Sequence, residues 1–302
     1  MKIAIAGGSG FIGKALTSLL VNNGHHVFVL TRHAAQHQSK ENVTFIQWLT
    51  NNAKPELELE GIDAIINLAG ESLNSGRWTK EKKQQLRNSR ISATNEVVRI
   101  IESMQSRPNV LVNGSAIGYY GTSLTSTFTE GDIVKSNDFL SSLVHDWEDT
   151  TSPLIGELRI VYARFGIVLS KEAGALKKML LPYKMFVGGK LGSGQQWMSW
   201  VHIEDTVRAL EHCIQTPSIS GPVNITSPTP VRMHEFGKTL ATVINRPYWA
   251  PVPSFVLKTV LGEMSTLVLE GQRVLPRNLQ ETGFTFIYPS LKEALDSLFE
   301  TT

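Results

Sequence analysis

A single cysteine, Cys213, occurs among the 302 residues. It excludes an internal disulfide and any multi-thiolate metal site, and it fits a reducing compartment, with a cytoplasmic location expected. Long hydrophobic runs are also missing. The longest apolar stretch near the C-terminus, SFVLKTVLGEMSTLVL, is interrupted by Lys258 and Glu263, so it is expected to form a core-packing amphipathic helix and not a membrane span. The opening apolar run is too short for a signal peptide. Neither sign of charge dominates: 29 basic and 27 acidic residues leave a formal net charge of +2, which gives no reason to expect a nucleic-acid or membrane partner. The eight histidines show no ligand spacing beside carboxylates, so no metal site is expected.

What is present is an alternation of β-rich apolar runs with helical patterns. Strands are expected near 2–6, 26–31, 43–48, 63–68, 110–114 and 159–164, with helices near 11–22, 79–105 and 138–150. This is the rhythm of a doubly wound parallel α/β sheet. From about 166 glycine and proline become more frequent, and a short run, PVNIT at 222–226, reads as a last strand rejoining the sheet. The expected division is a dinucleotide domain over 1–226, with 166–198 partly in a second lobe, and a smaller C-terminal substrate lobe over 227–302.

The segment KIAIAGGSGFIGKA joins the first strand to the first helix, with Gly7, Gly10 and Gly13 at three-residue spacing. The first glycine permits the tight turn, the second lets the backbone approach a diphosphate, and the third packs helix on strand. Unpaired N–H groups of the helix, starting at Phe11 and Ile12, would face the anion. A dinucleotide needing a 2′-hydroxyl partner would call for a carboxylate about 20 residues on, yet no acidic residue lies from His25 through Lys40. Thr31 and Arg32 end the second strand instead, and a guanidinium there suits the 2′-phosphate of NADP. The alternative for Arg32 is a solvated surface charge.

The motifs resemble those of the extended short-chain dehydrogenase/reductases: GGSGFIG, DAIINLAGE and WVHIEDTVRAL. They are similar in more detail to an atypical branch, the epimerase-family or nucleoside-diphosphate-sugar epimerase-like proteins, in NLAGES…RW, SAIGYYG, DFLSSLVHDWE, GSGQQWMSWVHI and the C-terminal LEGQRVLPRNLQETGFTFIYPSLKEAL. The resemblance spans nearly the whole chain. It implies a Rossmann core, NADP and a C-terminal substrate lobe. It also implies that Leu68 and Ala69, Arg90 and Val168 contact the cofactor. Leu68 and Ala69 read equally as core, and Arg90 as part of a solvated helical face.

Typical members of that superfamily carry a catalytic tyrosine with a lysine four residues later, the ammonium lowering the phenol pKa. No tyrosine occurs from Gly121 through Val161. The corresponding positions fall near Leu140 and Val144, both apolar. The one Tyr-x-x-x-Lys match, Tyr288 to Lys292, opens at a helix start far from the fifth strand. The serine partner is present as Ser115. Tyr120, with Tyr119 beside it, and Glu71 are the candidate proton carriers. The alternatives are packing for the tyrosines and a salt bridge to Arg77 for Glu71. His202 reads as a buried core histidine, His145 as a helix-surface residue and Asp205 as a helix cap. Arg77, Trp78, Arg273 and the segment GSGQQWMSW could wall a pocket for a small aromatic or phosphorylated molecule, or pack between lobes. The functional expectation is an NADP-dependent oxidoreductase or epimerase-like enzyme; the alternative is an NADP(H)-sensing regulatory protein with little or no turnover. Oligomeric state is left open.

Overall fold

The computed structural model describes residues 1–134 and 138–300. Seven parallel strands form the central sheet: β1 Lys2–Ala6, β2 His26–Thr31, β3 Val43–Gln47, β4 Ala64–Asn67, β5 Val110–Ala116, β6 Arg159–Phe165 and β7 Gly221–Ile225. Their spatial order is β7-β6-β5-β4-β1-β2-β3. Strands this apolar are buried on both faces, and only helical crossovers can cover both faces of a parallel sheet. One face carries α1, Phe11–Asn22, and the later helix Ile203–Gln215, around a core that includes Ile3, Ile5, Leu16, Val112 and Leu210. The other carries α2, Lys80–Ser103, around Ala4, Ile65, Val97, Ile101 and Leu111. PVNIT rejoins the sheet as expected: Val223 pairs with Ala163 at the β6 edge.

Helix starts follow the local chemistry. Thr79 caps α2 by accepting from the Lys82 N–H, and Asp138 caps α3, Phe139–Asp149, by accepting from Ser141 N–H. Three further helices follow: α4 Gly174–Lys184, α5 Ile203–Gln215 and α6 Met233–Val243. His202, not Asp205, caps α5, its Nδ1 accepting from Glu204 N–H at 3.2 Å. Asp205 sits inside the first turn, where its carboxylate accepts from the N–H groups of Ile287 and Tyr288.

The C-terminal half builds a second core from Leu169, Leu176, Trp200, Phe236, Leu240 and Leu295. Leu279 and Phe284 return to the first core, against the sheet. The stretch expected to be one core-packing helix behaves differently. It breaks into α7, Ser254–Leu261, then two single turns, because Gly262 ends the helix at φ +61°. None of the residues of α7 is buried. The last helix, α8, Leu291–Phe299, is capped by Ser290, and Tyr288 of the stray Tyr-x-x-x-Lys match lies before it, its ring 4.1 Å from that of His202. Among the described residues no helix is long and apolar enough to cross a membrane.

Candidate functional site

The β1–α1 turn is as tight as its glycines allow. Gly7 adopts φ +80°, and a methyl group added there would stand 2.8 Å from the Leu68 carbonyl carbon. At Gly13 the added methyl would approach the Gly7 carbonyl oxygen to 2.3 Å, so helix and turn touch through bare backbone. Gly10 precedes α1 without a side-chain cap, and no acidic residue occupies the first turn. The leading N–H groups of α1, at Phe11 and Ile12, are thereby left without a competing carboxylate. A methyl at Gly174 would lie 3.3 Å from Phe11 Cε1 and 3.4 Å from the Val168 carbonyl oxygen, which brings Val168 to the mouth of this cradle.

Two cations flank it. At the end of β2, Thr31 is buried and its hydroxyl accepts from His33 N–H at 3.3 Å, while the Arg32 guanidinium is exposed and makes no ion pair among the described residues. Beyond β4, Leu68 N–H donates to Ala6 and Ala69 N–H to the Asn67 side chain. Arg90 stands against Gly70, only 9% exposed, and donates to a single acceptor among the described residues, the Leu86 carbonyl, at 3.0 Å. Burial pulls its pKa down to about 10, with Glu71 opposing, so it stays a cation at neutral pH. A nearly buried guanidinium with four of its five donors free of acceptors among the described residues suits an anionic or hydroxyl-rich ligand. The donor set therefore fits a dinucleotide phosphate.

The expected catalytic centre is closed. Ser115 is 2% exposed and donates its hydroxyl to Glu148 Oε1 at 2.5 Å. Glu148 is held through both oxygens by Arg164, at 2.8 Å each, and Arg164 also donates to the Tyr120 hydroxyl at 3.0 Å. The Tyr120 phenol is buried and donates to Asn224 at 2.8 Å; burial pushes its pKa up to about 12. The Tyr120 hydroxyl is thus engaged within an internal network, with Asn224 and Arg164 as its partners. The Arg164 guanidinium lies 3.4 Å from the centre of the Tyr119 ring, and the His145 ring is tilted against Tyr119 at 4.1 Å. His145 is half-buried and bonded to the Val134 carbonyl, where a surface residue was expected. Leu140 and Val144 pack on Gly118: a methyl there would stand 3.5 Å and 3.7 Å from them. Glu148 and Arg164 escaped sequence reasoning, although an arginine inside the apolar strand RIVYARF is a signal that a buried carboxylate must face it.

Glu71 remains accessible beyond β4. Its partner is Lys82, joined by Ser75 at 3.1 Å, and not Arg77, which reaches the Thr259 carbonyl at 2.9 Å instead. The Lys82 hydrogen bond holds the Glu71 carboxyl below its usual range, so Glu71 is an acceptor or base, not an acid. Of the residues expected to wall a pocket, Trp78 meets Phe139 edge-on at 5.3 Å, and Trp197 lies near the guanidinium groups of Arg232 (3.7 Å) and Arg273 (5.1 Å). The Arg273 Nε is buried without a partner among the described residues. Trp200 is pure core, and burial lowers the pKa of His202 to about 4. Among the described residues no group of three or more His, Cys, Asp or Glu side chains could hold a metal ion.

Residues 3–141 match the family model described as NAD dependent epimerase/dehydratase family, and residues 252–298 match a domain of unknown function, DUF1731. The chain is 48% identical to the epimerase family protein YfhF of Bacillus subtilis, over 99% of this chain and 98% of that one. Among solved structures, the human epimerase family protein SDR39U1 (isoform 2), crystallised with NADPH, superposes with a TM-score of 0.87 at 31% identity, covering 100% of both chains. A nucleoside-diphosphate sugar epimerase from Corynebacterium glutamicum gives 0.78 at 30% identity, covering 99% of this chain and 58% of that one. With its cradle of bare glycines, its seven-stranded parallel sheet and relatives matched from end to end, the chain belongs to the epimerase family of Rossmann-fold proteins.

Proposed function

We propose that the chain is an NADP(H)-dependent oxidoreductase acting on a small molecule held between the strand ends and the C-terminal lobe. The observation that carries this reading is Arg32: an exposed guanidinium, free of ion pairs among the described residues, ends β2 beside Thr31 with no carboxylate nearby in sequence. The human relative solved with NADPH supports it. In this reading the leading N–H groups of α1 hold the diphosphate, Thr31 and Arg32 the 2′-phosphate, and Arg90 a further oxygen of the ligand. Leu68, Ala69 and Val168 line the cofactor's path. Bound NADPH would supply a hydride.

The chain's own residues must then manage the proton. Ser115 and Tyr120 are engaged internally, so the accessible proton carrier is the Lys82 ammonium, oriented by the ionised Glu71. An acceptor whose reduced form is stable as an anion, such as a quinone or an activated carbonyl, demands least of its proton donor. Trp78 with Phe139 offers it an aromatic wall, and Arg77 and Arg273 offer charge to a phosphorylated one. A full epimerase cycle needs proton removal and return, which this set serves less well.

The test is NADPH consumption with a panel of aldehydes, ketones and quinones. Turnover is expected with at least one acceptor and is expected to disappear in Lys82→Met while NADPH still binds. Arg32→Glu is expected to weaken NADPH at least about tenfold and leave NADH nearly unchanged. Tight NADPH binding with no acceptor consumed would instead favour the NADP(H)-sensing role, and equal losses of both nucleotides in Arg32→Glu would remove the 2′-phosphate assignment.

A further inference from the structure

The C-terminal lobe carries an apolar surface with no counterpart in the core. Trp249 is 67% exposed and Phe255 70%, and Leu181, Met185, Phe186 and Val260 are exposed with them. Monomer surfaces seldom gather so many large apolar groups without a use for them. They come from segments tied side by side: the Trp249 indole N–H donates to the Phe186 carbonyl at 2.9 Å, Trp249 N–H to Gly188, and Val252 N–H to Lys190. α7, which presents Phe255 and Val260, follows directly at Ser254, whose hydroxyl would lie 2.8 Å from a methyl added at Gly192. Phe186 itself is held at φ +62°, a conformation a bulky residue adopts only under constraint.

The segments that carry these groups are rich in basic residues, with Glu235 and Glu263 at their borders. From Ala173 through Ile203 the chain contains Lys177, Lys178, Lys184 and Lys190 and no acidic residue. From Phe236 through Gly262 it contains Lys238, Arg246 and Lys258, again with no acidic residue. Arg246 lies 4.8 Å from the Phe186 ring, so cation and aromatic share one spot. Since the whole chain has a formal charge of only +2, the remainder of the sequence is net negative. A second copy seated on this face by two-fold symmetry would set lysine against lysine.

We propose that this face docks on an anionic lipid bilayer, with Phe186, Trp249 and Phe255 entering the headgroup boundary and the surrounding lysines pairing with lipid phosphates. Exposed aromatics and aliphatics on segments rich in lysine and arginine are the composition of an interfacial binding surface, and attraction to anionic lipid adds to the burial of apolar area. Lys side chains can bury their methylene stems while keeping the ammonium at the phosphates.

The experiment is co-sedimentation of the full chain with vesicles of phosphatidylcholine alone and of phosphatidylcholine mixed with phosphatidylglycerol. The chain is expected to pellet with the mixed vesicles only and to be released by high salt. Phe255→Ser, which removes an exposed ring, and the pair Lys184→Glu with Lys258→Glu are each expected to weaken vesicle binding about tenfold or more, with NADPH affinity unchanged. Failure of the wild-type chain to pellet with anionic vesicles overturns the proposal. So does unaltered pelleting of both variants, or a dimer in light scattering that Phe255→Ser dissolves without any vesicle binding.

Discussion

At Ser115 the hydroxyl hydrogen has one destination, the Glu148 carboxylate, and Glu148 faces Arg164 with both oxygens. Three groups that look unrelated in sequence thus form one buried charge network, at positions 115, 148 and 164. Removing one partner of such an ion pair strands the other, which costs about 3–5 kcal/mol, whereas losing a single hydrogen bond to a charged group costs about 1.5–3 kcal/mol. Arg164→Met is therefore expected to lower unfolding free energy more than Ser115→Ala, and neither should change NADPH affinity by more than a small factor. Urea unfolding with a parallel binding titration measures both. A Ser115→Ala chain of full stability that no longer binds or uses NADPH would return Ser115 to the site of chemistry. The sequence made Ser115 visible because it follows an apolar strand, but what the hydroxyl touches depends on Glu148 and Arg164, 33 and 49 positions away.

Elements were readable where one local rule governs them. The strands of the first half show as apolar runs, and α1, α2 and α3 as helical patterns, because a parallel sheet buries both its faces. α7 was misjudged because its hydrophobicity has no core to meet; only Gly262, at φ +61°, marks its end. The cap of α5 shows the same dependence on context. Asp205 is the better capping residue by type, yet its carboxylate is drawn to the backbone of Ile287 and Tyr288, and His202 takes the cap. Burial lowers His202 to about 4 from 6.5, so the folded state resists protonation that the unfolded chain accepts. Between those values the unfolded chain binds more protons, and stability falls as pH falls, by an amount on the order of 3 kcal/mol across the window. Melting temperatures from neutral pH to pH 4 should drop less in His202→Asn, which keeps a capping side chain without the titration. Identical slopes in the two proteins would show that another group governs the acid response.

On the scale of the whole molecule, the two halves share a core. Leu279 and Phe284 pack with Ile5, Leu16 and Leu210, while Leu169 and Trp200, from the middle of the chain, anchor the second core. Cutting the sequence at 226 separates groups that are buried together. We expect a single calorimetric transition for all 302 residues, raised by NADPH through mass action, about 2.7 kcal/mol at a hundredfold excess over its dissociation constant. Two resolved transitions, only one of them moved by NADPH, would mean that the lobes unfold independently. Charge teaches a related lesson at this scale. A net value of +2 averages over a chain with basic segments that hold no acidic residue, so it says little about which partners those segments can meet.

The packing of Leu140 and Val144 on Gly118 has a consequence for design. Tyrosine and lysine grafted into those two positions would not make a working acid–base pair. An ammonium at 144 would enter a wall where Val144 is 4% exposed, one turn from a carboxylate already saturated by Ser115 and Arg164. Installing such a pair would mean repacking Gly118, Val144 and Glu148 together.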